Sequence, residues 1–168
     1  MKKDSIRLRP FALSDIQRLA QLANNKNVWD NLRDYIPHPY TEKDAEDYII
    51  FCNNQNPMTN FAIEYNNELV GTIGLILQKD VYRKSAEIGY WIGEPYWGKG
   101  IVTKAVELMV EYGFQNLDII RIFTGVFDFN IGSQKVLEKN GFEKEAVFKN
   151  AIFKNGKICN EVKYAKIK

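Results

Sequence analysis

The chain has one histidine, His38, and two cysteines, Cys52 and Cys159, among its 168 residues. A single imidazole cannot build a histidine-based metal site. A Ser-His-Asp triad would have to rest on a residue held between two prolines, in Ile36-Pro37-His38-Pro39-Tyr40. The cysteines are far apart in sequence with no second pair, which argues against a zinc cluster or a disulfide framework and for free thiols in a reducing compartment. No apolar run approaches the ~20 residues that a membrane span needs. The first ordered pattern, Ile6-Arg7-Leu8-Arg9, alternates like a strand and is not the apolar core of a signal peptide. A soluble, cytoplasmic protein with no membrane partner is expected. Charge of one sign is also lacking: 23 basic against 21 acidic residues leave a net +2, too balanced for a nucleic-acid footprint. The local excess at Lys99, Lys104, Lys135 and Lys139 suits a small anionic ligand better.

What is present fits one domain spanning residues 1–168, with a composition 45% hydrophobic and 26% charged and roughly 70% of the unfolded surface buried on folding. Ile6 and Leu8, extending toward Phe11, read as a first strand. Ser14-Asp15-Ile16-Gln17 carries capping-box spacing and predicts a helix to about Ala23. Asn24 to Tyr40 is loop-like, with a little helix expected around Trp29 to Leu32, and is where acceptor specificity is expected to reside. Thr41-Glu42-Lys43-Asp44 repeats the capping signal. Ala45, Tyr48, Ile49 and Cys52 then share one helical face, which makes Cys52 a core residue.

Strands follow at Phe61–Tyr65 and Leu69–Leu77, joined by a hairpin at Asn66-Asn67, and at Ala86–Ile92. A long helix carries Val102, Ala105, Val106, Met109, Val110 and Gly113 on one face and stops near Asn116. A strand at Arg121–Phe127, a helix at Ile131–Asn140 capped by Gly141, and a final hairpin pivoting on Asn155-Gly156 complete the order. The expected fold is mixed α/β: a central, mostly antiparallel twisted sheet of about seven strands, flanked by about four helices.

The chemistry concentrates in Tyr96-Trp97-Gly98-Lys99-Gly100-Ile101-Val102-Thr103, a glycine-lysine-glycine turn between a strand and a helix. Two glycines let a ligand approach the backbone, and the following helix aims unpaired N–H groups and its positive dipole end at the same place. Gly93 to Gly100 matches a nucleotide-triphosphate loop at every position but the last, where Gly100 replaces the magnesium-binding hydroxyl. The dinucleotide fingerprint fails as well, because Thr103 stands where its third glycine belongs. On these letters alone the turn is either an anion site or a plain strand-to-helix connection.

Ala86-Glu87-Ile88-Gly89-Tyr90-Trp91-Ile92, the turn itself, Asn130-Ile131-Gly132-Ser133 and Lys139-Asn140-Gly141-Phe142 together resemble the GNAT acetyltransferase superfamily. The likeness is nearest the branch of ribosomal-protein alanine N-acetyltransferases, echoed by Leu32, the Pro37-His38-Pro39-Tyr40-Thr41 run and Asp44-Ala45. It covers about Ser5 to Lys166 and implies a strand pair splayed in mid-sheet. It also implies acetyl-CoA as cosubstrate, no metal, and a primary amine as acceptor, either a small molecule or a peptide N-terminus, on a monomer or homodimer.

The resemblance assigns the coenzyme to Ile92, Trp97, Gly98, Lys99, Gly100, Ile101, Val102, Thr103, Asn130, Ser133 and Lys139, with Pro95 departing from the superfamily's usual residue. Direct transfer requires the amine deprotonated and the departing thiolate protonated. Glu87 is the candidate base, acting through water, with a solvated or ion-paired strand residue as its plain alternative. Many members place a tyrosine where this chain has Leu137, so Ser133 is the substitute candidate acid; its plain alternative is a helix N-terminal residue. The missing tyrosine also keeps open a non-catalytic acyl-CoA-binding or regulatory module.

Overall fold

The computed structural model describes residues 5–168. Among them are seven strands in the order β1-β2-β3-β4-β5-β7-β6, and five α-helices. The chain forms two compact units. One runs to Gly74 and resumes at Tyr90–Ala105, and the other holds Leu75–Gly89 and Val106–Lys168.

In the first unit β1 (Ile6–Arg9) pairs antiparallel with β2 (Asn60–Tyr65), and β2 with β3 (Glu68–Leu77). The β2–β3 turn has positive φ at Asn66 and Asn67, 51° and 69°, as a tight hairpin with asparagines requires. Helices α1 (Ile16–Ala23) and α3 (Glu42–Asn53) pack together. Their apolar faces bury Leu19, Ala20, Ala45, Ile49 and Cys52 with Phe11, Ala62 and Leu69. Cys52 is fully buried, and burial pushes its thiol pKa up to about 11, so it is core as expected. Thr41 caps α3 reciprocally: its hydroxyl accepts from Asp44 N–H, and its own N–H donates to the Asp44 carboxylate at 2.8 Å.

Two local expectations are corrected. Ser14 opens no helix, because Leu13–Asp15 is a single 3-10 turn and α1 begins at Ile16. The Asp15 carboxylate is committed elsewhere: Arg9 donates to it at 2.7 and 2.9 Å and Ala12 N–H at 2.8 Å. Burial opposes its ionisation, but those donors outweigh burial and hold its pKa below the usual carboxylate range. The little helix of the long loop, α2, is Lys26–Trp29, three residues earlier than expected. It starts there because Asn25 Oδ1 accepts from Asn27 and Val28 N–H.

In the second unit β5 (Arg121–Phe127) pairs antiparallel with β7 (Lys157–Ile167), and β7 with β6 (Glu143–Lys154). The β6–β7 hairpin turns at Asn155-Gly156, with φ of 52° and 74°. Helix α4 (Ile101–Asn116), whose residues through Ala105 belong to the first unit, buries Ala105, Val106, Met109 and Val110, the face read from the sequence. Helix α5 (Ile131–Lys139) is bonded to β7 where Tyr164, almost fully buried, donates its hydroxyl to Glu138 at 2.9 Å. Strand β4 (Ser85–Ile92) runs parallel to β5 only through Ser85↔Arg121, Ala86↔Ile122 and Glu87↔Phe123. Both strands continue past those three paired positions.

Candidate active site

The glycine turn is prepared by a stiff approach. At the end of β4, Gly93 N–H donates to Val70 O at 2.8 Å, and Glu94–Tyr96 makes one 3-10 turn with Pro95 inside it. Trp97 then folds back, its indole N–H reaching Ile92 O at 2.8 Å. Tyr96 is pinned by Arg18, which donates to its hydroxyl at 2.7 Å. After it Gly98 and Gly100 both have left-handed backbone, φ +73° and +75°, where a side chain is strained. Gly100 O accepts Lys104 N–H at 3.1 Å, so α4 begins immediately after the turn and its first N–H groups point into it.

A Cβ built on either glycine meets nothing within 4 Å. The glycines are therefore required by conformation, and the space in front of them is open. Gly98, Lys99 and Gly100 are exposed, Val102 and Thr103 half-buried, and Ile101 buried as the anchor of the helix start. Lys99 Nζ lies 5.6 Å from the centre of the Tyr96 ring. Backbone donors, a helix dipole and one lysine thus converge on an open, glycine-lined turn, an arrangement that fits a pyrophosphate.

The remaining candidates lie in the second unit. Glu87 is half-buried on β4 and, through its register with Phe123, shares that residue's face of the sheet. Asn130 follows β5 and is the N-cap of α5, its Oδ1 accepting from Ser133 N–H at 3.1 Å. The capping group is therefore Asn130, and Ser133, half-buried in the first turn, keeps its hydroxyl outside that bond. Lys139 is exposed in the last turn of α5. Leu137, at the position where many family members carry tyrosine, is fully buried.

Over residues 5–143 the sequence matches the family model described as acetyltransferase (GNAT) domain. The chain belongs to the GNAT acetyltransferase family. It is 30% identical, over 88% of its length and 85% of the relative's, to the probable N-acetyltransferase YjcK of Bacillus subtilis (strain 168). To the spermidine N(1)-acetyltransferase of Escherichia coli (strain K12) it is 29% identical, covering 95% of this chain and 84% of that one. Among solved structures, the microcin C7 self-immunity acetyltransferase MccE, in complex with acetyl-CoA and AMP, superposes with a TM-score of 0.83 at 29% identity, covering 99% of this chain and 94% of that one. RimL, a ribosomal L7/L12 alpha-N-protein acetyltransferase in complex with coenzyme A, gives 0.81 at 25%, covering 97% and 94%.

As a GNAT acetyltransferase the chain is an acetyl-CoA-dependent acyltransferase, and the catalytic-family reading supersedes the non-catalytic module. No group of three or more His, Cys, Asp or Glu side chains able to hold a metal occurs among the described residues. No helix among them is long and apolar enough to cross a membrane.

Two polar networks of the first unit were not read from the sequence. Glu94 accepts from Asn25 Nδ2 at 2.7 Å and Asn27 Nδ2 at 2.8 Å, across nearly 70 residues of chain. Those two bonds, Asn25 first, hold the half-buried Glu94 carboxyl below its usual pKa. Arg7 and Arg9 both donate to the buried Glu64 carboxylate. An acid inside the apolar run Phe61–Tyr65, opposite two arginines spaced by two, is a signal that could have found this last network.

Proposed function

We propose that this acetyltransferase moves the acetyl group of acetyl-CoA directly to a primary amine, with a protein N-terminus or a small-molecule amine as acceptor. The observation that carries the reading is the open Gly98–Gly100 turn at the start of α4. In this reading the pyrophosphate accepts hydrogen bonds from backbone N–H groups between Gly98 and Thr103, and Lys99 adds charge. Backbone groups of β4 ending at Ile92 pair with the pantetheine amides as an added strand would, beside Trp97. Asn130 and Lys139 are assigned to the coenzyme by family likeness.

Glu87 takes a proton from the acceptor ammonium through water. The free amine then attacks the thioester carbonyl; collapse of the tetrahedral intermediate breaks the C–S bond, Ser133 gives its proton to the departing thiolate, and the proton shed by the new amide nitrogen restores the serine hydroxyl. No covalent enzyme intermediate is needed, and no metal step is invoked. A cytoplasmic setting and a monomeric or homodimeric state complete the proposal. The relatives' named substrates, spermidine and a ribosomal protein N-terminus, define the first acceptors to assay.

The test is calorimetric titration with acetyl-CoA, with Mg-ATP and a Gly100→Glu variant as controls, followed by an amine panel. Saturable binding of acetyl-CoA alone, lost in the variant, is expected. Equal binding by the variant would remove the turn from the site.

A further inference from the structure

Asn24 to Tyr40 closes on itself like an Ω-loop: Tyr40 N–H donates to Asn24 Oδ1 at 3.2 Å, so the two ends of the loop meet. Inside it Trp29 stacks on His38 with ring centres 5.3 Å apart, and Trp29 Nε1–H donates to Ile36 O at 2.8 Å. Val28, 2% exposed, anchors its first turn. The polar tie from this loop to the chain just ahead of the glycine turn is Glu94. Its two carboxylate oxygens take one donor each from Asn25 and Asn27, and Asn25 spends its other end capping α2.

Glu94 in turn belongs to a stiff piece. Tyr96 N–H and Trp97 N–H bond back to Gly93 O and Glu94 O at 3.0 and 3.1 Å, and a Cβ on Gly93 would stand 2.6 Å from Leu22 Cδ2. The exposed Gly98-Lys99-Gly100 turn follows it directly.

We infer that Glu94 is a positioning residue that couples occupancy of the glycine turn to the order of the Asn24–Tyr40 loop. An anion seated on the turn restrains the segment that carries Glu94, and the paired bonds to Asn25 and Asn27 pass that restraint to the loop that holds the Trp29–His38 stack. The inference rests on the proposed pyrophosphate site and adds to it the bonds through which its occupancy reaches the Asn24–Tyr40 loop. Coupling of this kind needs no change of shape, only that one ligand lowers the fluctuations another must overcome.

The experiment is amide hydrogen exchange on the whole protein, with and without saturating acetyl-CoA, read on peptides covering 24–40 and 93–104. In the wild type both regions are expected to slow on adding acetyl-CoA. In Glu94→Ala the slowing at 93–104 persists while that at 24–40 is lost, with acetyl-CoA affinity kept within about twofold, the scale of a surface substitution. Asn27→Ala, which removes one of the two bonds and leaves the turn's own chain intact, gives a partial loss and serves if Glu94→Ala folds poorly. Unchanged protection of 24–40 in both variants, or a wild-type loop indifferent to acetyl-CoA that nevertheless slows at 93–104, overturns the coupling and leaves the site standing. Absence of any acetyl-CoA effect at 93–104 overturns the reading of the turn and the coupling with it.

Discussion

Replacing Gly98 with alanine separates what the turn does for the fold from what it does for the ligand. Its φ of +73° lies in the left-handed region, and the added methyl meets nothing within 4 Å. The folded state therefore bears conformational strain alone, roughly 1–2 kcal/mol. For a chain of this size that lowers Tm by roughly 2–8 °C. Gly156, at φ +74° in the β6–β7 turn and with equally open surroundings, supplies the matched control. Gly156→Ala should show a similar drop in Tm and an unchanged Kd for acetyl-CoA.

Gly98→Ala should add a binding defect, because the methyl intrudes where the pyrophosphate approaches and displaces a backbone donor. A hydrogen bond to a charged group contributes about 1.5–3 kcal/mol. The expected weakening is therefore roughly 10- to 100-fold in Kd. Differential scanning fluorimetry gives the first quantity and isothermal calorimetry the second. If the two variants lose the same stability and bind acetyl-CoA equally well, the turn is only a strand-to-helix connection and the pyrophosphate assignment fails.

Other outcomes follow from the same structure. Asn130→Ala removes the cap of α5 and should lower stability by about 1 kcal/mol in chemical denaturation. Ser133→Ala should leave stability within about 0.5 kcal/mol while lowering kcat; an unchanged kcat would strip Ser133 of its role as acid. Arg9→Met leaves Asp15 and Glu64 without their shared cation and should cost about 3 kcal/mol, read as a shift in urea midpoint. Because both carboxyls have folded pKa values below their unfolded ones, their contribution is complete above the unfolded values, 3.8 and 4.5. It disappears as pH falls through the folded ones, so the Arg9→Met difference should shrink in acid. At pH 8 a thiol reagent should titrate Cys159 in the native protein and reach Cys52, fully buried with its pKa near 11, only on unfolding.

Much of the architecture was legible because local chemistry and tertiary packing agree. Asn66-Asn67 and Asn155-Gly156 can hold positive φ, so both hairpins turn where the letters say, and Thr41-Asp44 caps the helix it predicts. Ser14 misled because a capping pattern reports only local options. The Asp15 carboxylate instead accepts from Arg9, on a neighbouring strand, and from Ala12 N–H, which holds Leu13–Asp15 in a 3-10 turn ahead of the helix. The glycine turn was visible as a motif, yet whether its glycines serve close packing or conformation required φ values. The bond from Glu94 to Asn25 and Asn27 has no periodicity to betray it, since partners so far apart in sequence meet only after both surrounding elements have formed.

The sheet order β5-β7-β6 bears on how the protein is made. Strand β7, the last of the seven to be synthesised, lies between two strands that precede it. As the chain emerges, β5 has one edge without its neighbour until residues 157–167 are available. The local Asn155-Gly156 turn then lets β6 and β7 zip together and dock as a ready-made ribbon. Nascent chains stalled before residue 157 should therefore expose an apolar strand edge and depend on chaperones, whereas release of β7 closes that edge and delivers Tyr164 to α5 in the same step.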